Sequence, residues 1–592
     1  MKVFSQFILA TVFIGLLASC GGDSEDGSED GNPEELVQVE GGKFNGGVLR
    51  LNSIENYTTL FPVAINDVYS HHVAGNVYEG LFRFDQTTLE TAPALAESFD
   101  IDNSKTVYTF QIRKGVMFHD DECFSDGKGR EITANDFKYC LEYTCSKHES
   151  NKWDALFRDV ILGVNDYQDG SASDVKGIVV KDNYTLEITL EDPQSSLPDM
   201  LAMLPSAVYP SEAVDHYGYD GLNNHMVGTG PFIATSIENG KLVEFKKNKN
   251  YWRTDDFGNQ LPYLNQVKIS FIQDKKAELD AFKNDELDMV WGLPVEEIEN
   301  IMGTLEEAKA GENTEFEIQS VNSLNIQYYG FKFTSEVFSD VNVRKAFNYA
   351  VDRDSLVNYI LDGEGVPAHN GFVPPMTGYP YESVNGYDYN PTLAKQLLAK
   401  AGFANGNGFP ELTLYLNKSG GVNVKIADFI IAMLDNNLGV KVKTETMPIS
   451  ELYPKVEEGE LDFWRFGWIA DYPDPATFLH LFHSGGANNN NYFSYSNPEY
   501  DKVFEEGVKE IDDEKRNQLY AKADQMIIDD AVIMPLMFTV GIRLINPTVK
   551  DFEINEMEFR DLAVVNRVEK NKSTTRVYDN LMDENGEPID YE

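Results

Sequence analysis

The stretch Arg465-Phe466-Gly467-Trp468-Ile469-Ala470-Asp471 places a guanidinium, an indole and a carboxylate within seven residues. A carboxylate withdrawn from water pairs with an ammonium, and the planar guanidinium fork matches a carboxylate, so its two ends suit a solute carrying both charges. Arg465 would serve equally in a structural ion pair, since 97 acidic residues outnumber 49 basic ones. Trp468 reads either as the wall of a cavity or as core. Pro473 and Pro475 restrict the backbone beyond Asp471 and would hold its carboxylate in place.

Other reactive constellations are sparse. There is no Gly-x-Ser-x-Gly elbow and no His-Glu-x-x-His zinc motif, and Ser419-Gly420-Gly421 has no evident general base, which disfavours a secreted hydrolase. The nine histidines do not fall into metal-ligand spacing with the cysteines, and the side chains of His71-His72 point apart on helix or strand, so neither metal nor cofactor is expected. Cys140 and Cys145 turn to different sides of an expected helix, which leaves a bridge from Cys123 to either one open. The formal charge of -48 repels nucleic acid and reads as a solvated acidic surface.

The elements that must carry these groups alternate between strand and helix patterns, an α/β arrangement large enough for two or more domains. Val107 to Arg113 is β-rich and, after Lys114-Gly115, Val116-Met117-Phe118 is expected to close a hairpin. A second hairpin spans Gly177 to Leu190 with its turn at Asp182-Asn183. Between them Thr133-Ala134-Asn135-Asp136 has the pattern of a capping box, opening a helix with Phe137, Leu141 and Thr144 on one side. Further on, Val343 to Val351 has helical spacing, Asn390-Pro391 starts a helix that Gly402 stops, and Val424 to Leu438 forms a helix between strands 412–416 and 440–446.

At the N-terminus Lys2 precedes an apolar run, Phe4 to Leu17, too short to span a bilayer, and then Leu17-Ala18-Ser19-Cys20. This resembles the lipobox of bacterial lipoproteins, which implies cleavage after residue 19 and acylation of Cys20. An ordinary signal peptide with a chance cysteine is the alternative. The acidic, Gly- and Ser-rich tract that follows is expected to be a disordered linker over 20–40.

Six further segments occur in a fixed order: Tyr78-Glu79-Gly80-Leu81; Leu95-Ala96-Glu97-Ser98-Phe99 with Tyr108 to Asp120; Gly228-Thr229-Gly230-Pro231-Phe232; Asn250-Tyr251-Trp252; Val343-Arg344-Lys345-Ala346-Phe347; and Gly467 to Pro475. Together they resemble the oligopeptide and dipeptide class of ABC-transporter solute-binding proteins, extracellular family 5, over about residues 44 to 545. The resemblance implies the two-lobe periplasmic-binding-protein fold (type II, cluster C-like) with a domain inserted in lobe I. Lobe I would comprise 41–84, 206–315 and 530–592, the inserted domain 85–205, and lobe II 316–529.

The resemblance also implies the function: not an enzyme, but a lipid-anchored, monomeric protein of the cell envelope, facing periplasm or exterior. It would capture short peptides in the interlobe cleft and hand them to ABC permease and ATPase subunits. Asp471 would take the peptide amine, Arg465 the carboxylate and Trp468 the wall of the pocket. A gapless count from Tyr78 places the strand that pairs with the ligand main chain at Asn66-Asp67-Val68-Tyr69, with Asn66 and Val68 binding through their backbone. The same fold also carries oligosaccharides, haem and nickel complexes, and a sensing or adhesion protein without a transporter is the reading from another class.

Overall fold

The computed structural model describes residues 34–292, 316–361, 363, 365–417, 422–485 and 491–569. Cys20, the leader 1–19 and the first part of the linker lie outside the described residues. The linker is shorter than its composition suggests, because β1 (Leu36–Gln38) already pairs antiparallel with β2 (Phe44–Gly46). After β3 (Val48–Asn52) come a short helix, α1 (Val68–Ala74), and a two-stranded ribbon, β4 (Phe82–Phe84) with β5 (Thr91–Pro93).

The inserted region holds β6 (Ala96–Ile101), β7 (Val107–Ile112), α2 (Ala134–Thr144), β8 (Ile178–Asp182) and β9 (Thr185–Thr189), its sheet ordered β6-β7-β9-β8. The capping box forms as patterned: the Asp136 carboxylate accepts the Thr133 N–H at 2.7 Å, and Phe137, Leu141 and Thr144 are buried. The hairpin β8–β9 also forms. The expected hairpin of β7 with Val116–Phe118 does not. Both edges of β7 are taken by β6 and β9, so Val116–Phe118 runs instead beside 130–132, with the Ile132 N–H donated to the Val116 carbonyl. Competition from strands far along the chain is invisible to a local pattern.

Then follow α3 (Leu197–Ala202), β10 (Phe232–Glu238), β11 (Leu242–Lys247), β12 (Gln266–Ser270) and β13 (Met289–Trp291). The first lobe's sheet is β10-β11-β12-β3, with β12 parallel to β3. One continuous apolar core joins Leu49 and Phe232 of that sheet to Phe110 and Phe137 of the inserted region. The insert is therefore fused to lobe I through shared packing.

The chain then passes along β14 (Glu317–Asn322) into lobe II, which contains β15 (Asn325–Phe331), α4 (Val341–Tyr349), β16 (Val366–Pro367), α5 (Pro391–Lys400), β17 (Leu412–Asn417), α6 (Val422–Leu438), β18 (Val442–Met447), β19 (Phe463–Ile469), α7 (Pro498–Lys509), α8 (Asp513–Asp529) and β20 (Ile533–Phe538). Its six-stranded sheet runs β16-β20-β15-β19-β17-β18. The expected β-α-β unit is present, with β17 and β18 parallel and α6 crossing between them. Asn390 caps α5 through its side-chain oxygen and the Leu393 N–H, and Gly439 after α6 has φ +71°, the left-handed stop that glycine permits.

The chain leaves lobe II along β20 and enters β21 (Val540–Ile545), which pairs with β13 and β14 in a lobe I sheet. The expected boundaries at 315/316 and 529/530 are thus each off by one strand: β14 belongs with lobe I and β20 with lobe II. The two crossings meet at Ser323–Asn325 and Thr539, where the Ser323 N–H donates to the Thr539 carbonyl at 2.9 Å and the Thr539 N–H to Asn325 Oδ1 at 3.2 Å. Residues 549–569 fold back onto lobe I. Their backbone is held by Asn76, whose Nδ2 donates to the Arg560 carbonyl and whose Oδ1 accepts the Leu562 N–H, both at 2.9 Å. Cys123, Cys140 and Cys145 are all free thiols.

Candidate binding site

Among the described residues, strand pairing leaves one edge of β19 without a partner beyond Trp464. β15 lies along one side over the whole strand, whereas β17 touches the other only at Tyr415 opposite Trp464. The Ala470 N–H donates to the Leu324 carbonyl at 2.9 Å in the same register, so even-numbered residues of β19 turn their backbone groups toward β15. The N–H and C=O of Gly467 and Ile469 therefore point to the open side. Side chains alternate as well: Trp464 and Phe466 are buried in the lobe II core, while Arg465, Gly467 and Ile469 face away from it, Ile469 being 67% exposed. A Cβ at Gly467 would come within 2.9 Å of the Gln327 amide, so glycine here keeps room for Gln327 beside the edge.

Asp471 stands just past the end of this edge. Its backbone N–H donates to Thr477 Oγ1 at 3.0 Å, and that hydroxyl is 3.4 Å from the Asp471 carboxylate. No cation lies beside it among the described residues, and burial pushes its pKa up to about 7. At the other end, the Arg465 guanidinium donates to Asn417 Oδ1 at 3.0 Å and to Gln327 Oε1. The structural ion pair considered for Arg465 is not made among the described residues; its neighbours are neutral amides, and burial lowers its pKa. The structure thus brings Arg465 and Asp471 to the two ends of one open edge.

Trp468 is half-buried, its ring packed edge-on against His480 at 5.3 Å beside the lobe II core and its Nε1 without a hydrogen-bond partner among the described residues, a position that suits the edge of the core and the wall of a cavity alike. One expectation is corrected. Val68 and Tyr69 open α1, and the Asp67 carboxylate caps it by accepting the Ser70 N–H at 2.8 Å, so the segment from Asn66 to Tyr69 is not a pairing strand. The Asp67-x-x-Ser70 spacing was itself a readable cap signal. The edge at Gly467 and Ile469 has no local sequence signal, because it depends on the register of β17 against β19.

Three of the six ordered segments converge on one carboxylate. Glu79 accepts hydrogen bonds from Thr229 Oγ1 at 2.8 Å, from the Tyr251 hydroxyl at 2.8 Å and from Trp252 Nε1 at 3.0 Å. The Arg113 guanidinium lies 4.2 Å over the Trp252 ring, and His119 bonds the Gly230 carbonyl at 2.9 Å. Arg344 closes the far end of α8, donating to the carbonyls of Ala531 at 3.0 Å and Asp530 at 2.7 Å. These five segments are structural joints, which leaves Gly467 to Pro475 as the one that carries the candidate site. The model of the bacterial extracellular solute-binding proteins, family 5 middle region, matches residues 90–490. The chain belongs to this family.

Among curated family 5 relatives, the dipeptide-binding protein DppE of Bacillus subtilis is 28% identical over 559 residues, covering 92% of this chain and 95% of its own length. The heme-binding protein A of Haemophilus influenzae is 28% identical over 500 residues, covering 83% and 87% respectively. Among solved structures, a periplasmic oligopeptide-binding protein of Borrelia burgdorferi superimposes with a TM-score of 0.72 at 29% identity, covering 88% of this chain and all of that one. The DppA protein of Helicobacter pylori in complex with the peptide STSA also gives 0.72, at 24% identity over 88% of this chain and 98% of its own. The chain has the two-lobe fold of these binding proteins. Among the described residues no helix is long and apolar enough to cross a membrane.

Proposed function

We propose that this solute-binding protein captures short peptides between its lobes and delivers them to an ABC transporter. The observation that carries the reading is Asp471: a desolvated carboxylate that, among the described residues, has no cation beside it and stands at the end of an unpaired strand edge. A peptide laid antiparallel on Gly467 and Ile469 would meet their N–H and C=O groups with its own, bring its ammonium to Asp471 and run its carboxylate toward Arg465. Six residues of strand span about 20 Å, the reach of roughly five extended peptide residues. The peptide specificities named for the relatives point the same way. Closure follows because a ligand touching both lobes favours the state in which both contacts exist, with Ser323 and Thr539 as the hinge.

Cys20 is proposed as the lipid attachment point, holding the protein as a monomer at the envelope; replacing it with serine should release the protein into the soluble fraction. The decisive experiment for the ligand is calorimetry with a free and an N-acetylated tetrapeptide. Acetylation should weaken binding by roughly 100-fold, since a buried charge loses its partner. Equal affinity would remove Asp471 as the anchor. Binding of haem or an oligosaccharide with no peptide bound would overturn the reading.

A further inference from the structure

We propose that a cavity in lobe I, between α1, β4 and the returning segment 559–561, binds a small monocarboxylate of acetate to butyrate size on the guanidinium of Arg560. The cavity has a volume of about 70 Å³. A single water needs about 10–15 Å³, so there is room for roughly five water-sized groups. Its walls divide by chemistry. Phe82, Phe84, Met203, Leu204 and Phe559 supply apolar surface, while Arg83, Arg560 and the Arg253–Asp561 pair supply charge.

Arg560 is the group without a partner. Its Nε is buried and meets no acceptor, and its guanidinium makes no hydrogen bond or ion pair among the described residues. The two carboxylates that attract it are engaged elsewhere: Glu278 takes Lys275 at 2.9 Å and Asn52 at 3.0 Å, and Glu558 stands 3.9 Å from His72. Burial outweighs both and lowers the Arg560 pKa to about 10, which leaves a cation at neutral pH.

Nothing else in the walls offsets that charge. Asp561 is held by Arg253 at 2.6 Å, and Glu79 is filled by Thr229, Tyr251 and Trp252. His71 is neutral, since burial first and Arg560 next lower its pKa to about 4. Arg83 adds a second positive charge. It donates only to the Phe84 carbonyl, at 3.4 Å, and its acidic neighbour Asp85 accepts the N–H groups of Thr87 and Thr88 at 3.0 Å.

A buried cation is costly without an anion, and the guanidinium edge formed by Nε and one Nη matches the two oxygens of a carboxylate. The apolar wall then receives a short alkyl group, which chloride and phosphate lack. Asn76 and Gln86 already bond the backbone of Arg560 and Asp561, so the bound carboxylate is a further tie between the returning segment and lobe I. Every wall residue lies in lobe I or that segment, away from the edge at Gly467. The proposal therefore does not rest on the peptide reading.

Acetate, propionate, butyrate and chloride, each titrated calorimetrically into the purified protein in a Hepes buffer, test it. At least one carboxylate should bind, about tenfold or more tighter than chloride. Arg560→Gln should weaken it by at least about tenfold. Ala202→Leu, which fills the cavity from the end of α3 and leaves Arg560 in place, should do the same, with thermal melts establishing that both variants are folded. Arg465→Gln should bind as wild type does. No carboxylate binding by wild type, chloride bound as tightly, or unchanged affinity in the two folded cavity variants would overturn the site. Loss of binding in Arg465→Gln alone would assign the carboxylate to the strand edge and overturn it as well.

Discussion

Glu79 and Asp471 are two carboxylates that burial pushes up to about 7, yet their surroundings are opposite. Glu79 is saturated by three donors from segments far apart in the chain, and it locks lobe I together. Among the described residues Asp471 has a single side-chain partner, the Thr477 hydroxyl, and stands at the end of an unpaired strand edge. A raised pKa alone does not mark a binding site; what separates the two is unused hydrogen-bonding capacity facing open space. The arginines repeat the contrast: Arg344 is consumed by backbone carbonyls of α8 and its neighbours, whereas Arg465 is propped by two amide side chains and keeps its charge uncompensated.

The sharpest way to break this comparison is to swap the expected phenotypes. Glu79→Ala strands three partly buried donors and should cost about 3–5 kcal/mol in a denaturant melt, while the folded fraction keeps its peptide affinity. Asp471→Asn should do the reverse, weakening free-amine peptides by roughly 100-fold in calorimetry without loss of thermal stability. Its stability should even rise at alkaline pH. A carboxyl raised to about 7 makes its full contribution to stability below its unfolded value and loses it progressively as pH climbs through 7, so removing the charge helps the ligand-free protein there. Gly467→Val puts a side chain against Gln327 beside the edge, and about tenfold weaker binding of every peptide, amidated or not, is expected from equilibrium titration. The smallest effect belongs to Arg465→Gln, roughly fivefold, confined to peptides with a free carboxylate. Should C-terminal amides lose affinity equally, Arg465 is a prop for Gln327 and Asn417 rather than a reader of the ligand.

Much of this was legible before any coordinates. The capping box at Thr133, the Asn390-Pro391 start, the β17-α6-β18 unit and the motif around Asp471 all depend on residues close in sequence, where local physics decides. The order of motifs also carried the family. What could not be read depends on partners far along the chain. Val116–Phe118 lost its hairpin because β6 and β9 occupy both edges of β7. β14 and β20 changed lobes because a strand's sheet is set by its neighbours. The unpaired edge at Gly467 depends on how far β17, distant in sequence, runs beside β19; among the described residues the two pair only at Tyr415 and Trp464. Asn66 and Val68 were misplaced for a different reason, since a gapless count overrode the helix cap written in Asp67 and Ser70.

The central claim is that Asp471 waits, largely protonated in acid, for a cation. Calorimetry of a free-amine tetrapeptide at pH 6 in buffers of different ionisation enthalpy measures the protons released on binding. Pairing with an ammonium forces Asp471 to ionise, so wild type should release close to one proton per peptide and Asp471→Asn close to none. Identical proton release by the two proteins would contradict the account.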